Sequence, residues 1–195
     1  MGATANPGAA RAGVRDRLLD SADELFYEGG VHVVGIDRVI EHAGVAKASL
    51  YKHFPSKDAL VAAYLERRAD RLLDSIEEAV GRRRDPMRRV LAVFDHQASR
   101  MAAPTYNGCA FSRAAAEAGA DSVTYAAHAH YRSRLLDLLA GLASEAGARQ
   151  PGALAEQLRL VYDGAADGGR YDPVAAARHA RTAAVALLAA GTATH

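Results

Sequence analysis

Apolar residues recur along this chain at intervals of three and four and nowhere in sustained alternation, so the pattern predicts helices and no strands. Over residues 14–28, Leu18, Ala22, Leu25 and Phe26 form one stripe, with Arg15, Arg17, Asp20, Asp23 and Glu24 outside it and Gly29-Gly30 ending the helix. Val31 to Val34 form a connector that packs onto a small core. Residues 35–54, GIDRVIEHAGVAKASLYKHF, hold two short helical patterns broken by a glycine. Ile36, Val39, Ile40 and Ala43 share one side before the break, and Leu50 and Phe54 point inward after it. Gly44 takes the sharp reversal, where a left-handed backbone suits a residue without Cβ, and Val45 anchors the turn. The pattern is a helix-turn-helix whose second helix, about two turns long, is too short to stand alone.

Pro55 breaks the chain, and Ser56 caps a long helix over residues 57–80 whose Leu60, Ala63, Tyr64, Leu72, Leu73 and Ile76 suit a link between two cores. Asp85-Pro86 and Asp172-Pro173 are each a cap followed by a first-turn proline. Between them lie a helix through Val90, Leu91, Phe94 and Ala98 to Met101, a loop at Pro104, Asn107 and Gly108, and a short helical piece over 110–118. A long periodic stretch then starts at Asp121 or Ser122 and runs to 146, with Tyr125, His128, Arg132, Leu135, Leu139 and Leu142 along one side. Leu154, Leu158, Val161 and Ala165 mark a helix over 152–167, and Val174, Ala177, Ala184, Val185 and Leu188 mark the last. About nine helices result, giving an all-α fold. A helix-turn-helix unit over 13–56 precedes a larger helical unit over 57–195. Residues 1–12, small and aperiodic, predict a disordered arm.

Charge sharpens this picture at one place. The net charge is only +1, which argues against a wholly basic architectural protein and makes Lys47, Lys52 and Lys57 a local cationic cluster. Lys47, Ser49, Tyr51, Lys52 and His53 occupy the outward side of the second short helix, and no acid intervenes between Lys47 and Lys57. Such a helix suits a DNA major groove. Arg11 and Arg15 could reach a minor groove, although a solvated tail is the simpler reading. Arg82, Arg83 and Arg84 follow a helix end, where cations are favourably placed near the dipole. With 50% hydrophobic residues in 195, a buried core is well supplied. The single cysteine, Cys109, excludes an intramolecular disulfide. No apolar run has the length of a membrane span and the first residues lack a signal peptide's apolar segment, so a cytoplasmic protein is expected.

At AGVAKASLYKHFPSKDAL the chain resembles TetR-type transcriptional regulators, whose recognition-helix signature has Ala-Gly-Val, Leu-Tyr, His-Phe and Ser-Lys at these spacings. The likeness covers residues 15–65. It departs from the family at Val34, Gly35 and Ala46, where Ser or Thr is usual. Losing a cap at Ala46 costs about 1 kcal/mol and leaves backbone N–H groups for a phosphate. The resemblance implies a homodimer through the last two helices, operator DNA as partner, and a ligand cavity among the middle helices. The alanine-rich composition of those last helices suits close pairing. The resemblance also implies regulation, most often repression, that a small-molecule effector relieves. By the same resemblance Tyr51, His53 and Lys57 contact phosphates, while Lys47, Ser49 and Lys52 reach base edges. Pocket candidates are Phe94, Cys109, Phe111, Tyr125, His128, Tyr131 and Tyr162, with ordinary core packing as the competing reading.

Other chemistries find little support. His128 and His130 project about 200° apart on a helix and cannot share a metal ion. Cys109 has no resolving cysteine in the chain for a thiol switch. The sequence lacks a nucleotide-binding glycine loop, a nucleophile elbow and a His-Glu-x-x-His motif, so no enzyme and no cofactor is expected. The alternatives to a ligand-released repressor are a ligand-independent dimeric DNA-binding protein and a small-molecule-binding protein that does not use its helix-turn-helix.

Overall fold

The computed structural model describes residues 13–116 and 122–193. Among them are helices α1 (Val14–Gly29), α2 (Ile36–Ala43), α3 (Lys47–His53), α4 (Lys57–Gly81), α5 (Pro86–Met101), α6 (Ala110–Ala116), α7 (Val123–Glu145), α8 (Pro151–Gly168) and α9 (Pro173–Thr192), and no strand. The arm over 1–12, the last residues of the piece expected over 110–118, and a helix start at Asp121 lie outside the described residues. Side-chain caps stand where the residue pattern places them. Ser56 accepts from the Ala59 amide at 3.1 Å, Asp85 from Arg88 at 2.8 Å and Asp172 from Ala175 at 2.9 Å. Ser122 caps α7 in the same way.

Helices α1, α2 and α3 close around Leu18, Leu19, Ala22, Val34, Val39 and Leu50, each essentially buried. The α1–α2 connector contributes Val31 and Val34 but turns Val33 outward. Helix α4 packs against α1 near its start and against α5 and α7 further along, so one apolar core runs from Leu18 to Leu188. Its join to α1 is polar as well: Arg67 meets Asp20 at 2.9 Å, and Arg68 meets Asp23 at 2.5 Å. Helices α5, α7, α8 and α9 pack together as the body of the molecule. Among the described residues no helix is long and apolar enough to cross a membrane.

The face expected on α7 is right in its second half and turned in its first. Leu135, Leu139 and Leu142 are buried, but the row continues through Tyr131 to Thr124, while Tyr125 and Arg132 face outward. Thr124 is two helical turns from Tyr131, whereas Tyr125 sits about 120° round the axis from it. On α9 the buried row is Ala180, Ala184 and Leu188, and Val174 and Val185 are exposed. One stripe through both valines and Ala184 merges rows about 100° apart.

Candidate functional site

The α2–α3 turn sets the outward face of α3. Gly44 adopts φ 61° and ψ 44°, the left-handed conformation that ends α2, and the Val45 amide donates back to the Ile40 carbonyl at 3.3 Å. Ala46 precedes α3 at its N-cap position and supplies no side-chain cap. Leu50 and Phe54 are buried, and this pins the rotation of the helix. Lys47, Ala48, Tyr51, Lys52 and His53 are therefore exposed, with Ser49 and Lys57 half-buried. Lys47 is not a free cation in this structure. Its Nζ donates to Asp37 Oδ1 at 2.9 Å, and this hydrogen bond and the carboxylate's charge raise its pKa. Lys57 Nζ lies 3.5 Å from the His32 carbonyl oxygen. The Arg15 guanidinium sits 5.5 Å over the Phe54 ring, and Arg11 lies outside the described residues.

A second concave feature lies between α4, α5, α7, α8 and the segment entering α6. The space open to a water-sized sphere is about 20 Å³, room for roughly one water. Of the pocket candidates, Cys109, Phe111, Tyr131 and Tyr162 line it. Phe111 and Tyr131 are stacked, with centroids 4.2 Å apart. Phe94 stands behind the wall, edge-on to Tyr162 at 6.1 Å. Tyr125 is half exposed and His128 half-buried, and neither lines the cavity, because the inward row of α7 passes through Thr124 and Tyr131.

The rest of the wall is more polar than the aromatic candidates suggest. Arg68, Gln97, Arg100, Tyr106 and Asp163 all face the cavity. Gln97 Nε2 donates to the Tyr162 carbonyl at 2.7 Å, and the Tyr106 hydroxyl donates to the Ala166 carbonyl at 2.8 Å. Asp163 accepts from Arg159 Nη1 at 2.5 Å. Burial pushes the Tyr162 phenol up to about 12, and raises Tyr106 and Tyr131 as well, while the Arg100 cation pulls all of them partly back. A signal for some of these residues exists in the sequence: Gln97 interrupts the row from Val90 and Phe94 to Met101, and Arg68 lies between Leu65 and Leu72. Tyr106, in a loop, carries no such mark.

The cavity wall is also a joint with α1. The Tyr27 hydroxyl accepts from the Asn107 amide at 2.8 Å and donates to the Gly108 carbonyl at 3.2 Å. Asn107 Nδ2 and Arg113 Nη1 both donate to the Tyr27 carbonyl, at 3.0 and 2.8 Å. The Arg68 guanidinium lies 3.8 Å over the Tyr27 ring. Gly108 and Arg68 thus belong to the cavity and to this clamp at once. Among the described residues no cluster of His, Cys, Asp or Glu is arranged to hold a metal ion.

Comparison with known proteins agrees with the helix-turn-helix and with the fold. Residues 18–64 match the model described as "Bacterial regulatory proteins, tetR family". The fold superposes on a TetR-family transcriptional regulator of Streptomyces coelicolor, SCO4454, with a TM-score of 0.87 and 30% identity, covering 92% of this chain and 96% of that one. The HTH-type transcriptional activator FasR of Mycolicibacterium smegmatis is 37% identical over 81 residues, 42% of this chain and 37% of the relative. The HTH-type transcriptional repressor KstR2 of Rhodococcus jostii is 34% identical over 76 residues, 39% of this chain and 37% of the relative. The matches to these curated relatives thus span little more than a third of their length. With a full-length structural relative at that identity and the family's helix-turn-helix at its N-terminal end, this chain belongs to the TetR family of DNA-binding transcriptional regulators.

Proposed function

We propose that the protein is a homodimeric repressor that binds a palindromic operator and leaves it when a small molecule opens the cavity. Residues 13–56 are the DNA-binding unit in this reading, and residues 57–195 bind the effector and pair the subunits. The observation that carries it is the shared wall. Gly108 and Arg68 face the cavity, and the same segment grips Tyr27 at the end of α1, which packs on α2 and α3. A ligand larger than one water must displace part of that wall. It therefore binds a shape in which α1 and α4 are held differently, and a coupling of about 1–3 kcal/mol follows from that differential affinity.

On DNA, Lys47, Ser49 and Lys52 reach base edges, and Tyr51, His53 and Lys57 contact phosphates. Pairing through α8 and α9 is supported by the apolar side chains exposed there, Leu160, Val174 and Val185, beside exposed Ala186, Ala189 and Ala190. The pair places its α3 helices about one DNA turn apart, about 34–36 Å or a multiple of it.

Fluorescence anisotropy of the purified chain against DNA flanking its own gene, with scrambled DNA as competitor, tests the reading. Saturable, competition-resistant binding of two subunits per site, reversed by an effector from a compound screen, is the expected result. Binding that no member of the screen reverses favours a ligand-independent dimeric regulator, the reading to which the near-filled cavity lends weight.

A further inference from the structure

The cavity has a charge pattern of its own. Its other ionic groups are matched: Arg68 by Asp23 at 2.5 Å, and Asp163 by Arg159 at 2.5 Å. Arg100 is the exception. It faces the cavity from α5, and among the described residues no carboxylate lies within ion-pair distance of its guanidinium. The unmatched charge is felt nearby, since burial and the Arg100 cation together lower the pKa of His96. The wall that holds Arg100 also carries phenols. Tyr131 and Tyr162 are neutral phenols at physiological pH, and the wall's one carboxylate, Asp163, already has its arginine. The wall also offers flat apolar surface, the stacked rings of Phe111 and Tyr131.

A half-buried cation without a carboxylate partner, on a wall that also carries phenols, recognises an anion, and a wall that carries aromatic rings recognises a planar body. We infer that the effector is a small aromatic carboxylate, whose carboxylate pairs with Arg100 and whose ring lies against Phe111 and Tyr131. The inference rests on the ligand-release reading above and names its ligand class. It also accounts for the narrow cavity. A six-membered ring exceeds the roughly 20 Å³ present, so it enters only as the wall segment holding Gly108 and Cys109 moves aside. That movement loosens the grip on Tyr27, so entry and release are one event.

Isothermal titration calorimetry of the purified full chain at neutral pH tests this with benzoate, 4-hydroxybenzoate and phenylacetate, each beside its primary amide. At least one acid should bind about tenfold or more tighter than its amide, the worth of a charge-assisted hydrogen bond. Arg100→Gln should erase that preference, and Arg100→Lys should restore part of it, with thermal melting of each variant confirming the fold. Equal binding of acid and amide, a preference that survives Arg100→Gln, or no acid binding at millimolar concentration each overturns the inference. DNA anisotropy separates it from the reading it rests on. An acid bound through Arg100 that leaves operator affinity unchanged sinks the release mechanism and keeps the ligand class. A neutral compound that releases DNA equally from the Arg100→Gln variant keeps the mechanism and sinks the class.

Discussion

The outer face of α3 and the cavity beneath α6 both gather polar groups, yet they are built in opposite ways. The α3 face comes from one short stretch of chain, stands in solvent, and has its cations spread by helical spacing over two buried anchors, Leu50 and Phe54. The cavity draws Arg68, Gln97, Gly108, Tyr131 and Asp163 from widely separated places, nearly excludes water, and pairs most of its charges. An exposed surface can hold lysines, paired or not, at little cost and offer them to a phosphate backbone. A narrow one favours matched charges, and a half-buried charge left without a partner is open to a ligand. The α3 face is thus a surface suited to a polyanion, and Arg100, without a carboxylate partner, is suited to a small anion.

The largest effects should come from removing what orients the open face. Leu50 is wholly buried beneath α3, and Leu50→Ala should cost about 2–5 kcal/mol. Melting should show that loss, and DNA binding should vanish while most helical circular dichroism remains. DNA affinity within twofold of the parent would mean that α3 is not the element that docks.

Next is the joint between the two regions. Tyr27→Phe keeps the ring under Arg68 but leaves the part-buried Asn107 amide without its acceptor, a loss of about 1–3 kcal/mol. Melting measures that cost. Operator affinity without effector should fall and the response to effector should shrink, because the wall no longer holds α1. Unaltered response to an effector would route the coupling through α4 alone.

These joints also mark the limit of what the chain shows before it is folded. Gly44, Leu50 and Phe54 are legible because a turn and two short helices are local, and their periodicity fixes which side faces in. The Tyr27 clamp is not. Its partners, Asn107 and Arg113, lie far along the chain in a loop and a short helix, where no period says what they meet. Within the cavity, Tyr131 and Tyr162 are found by scanning for polar-tipped aromatics, and Arg68 and Gln97 escape the same scan because it passes over charged and amide groups on apolar rows. Tyr125 points outward for a geometric reason: the inward face of a long helix is set by its best-packed leucines, and one residue of drift turns a side chain by about 100°.

Smaller changes should separate the roles on α3. Lys57→Ala should weaken binding to all sequences alike and lower the slope of log affinity against log salt by about 1, whereas Lys47→Ala should alter which sequence is preferred. Asp37→Asn should raise affinity by freeing Lys47 and removing a negative charge beside it. If Asp37→Asn instead relaxes sequence preference without raising affinity, Asp37 is holding Lys47 in its reading position.

The smallest effect should appear at the enclosed end and depend on pH. Burial lowers the pKa of both His96 and His128 below the usual 6.5, with Arg100 adding to the effect at His96 and Arg132 at His128. Protons therefore bind the unfolded chain more readily than the folded one. The stabilisation is present above pH 6.5 and is lost as pH falls through the lowered folded values. Melting temperature should drop between pH 7 and pH 5, and His96→Gln should flatten that drop more than His128→Gln if the unpaired Arg100 cation contributes. A saturating aromatic acid should shrink the contribution of His96, since a carboxylate beside Arg100 cancels the charge that opposes its protonation. An unchanged His96 contribution in the presence of such a ligand would place the bound anion away from Arg100.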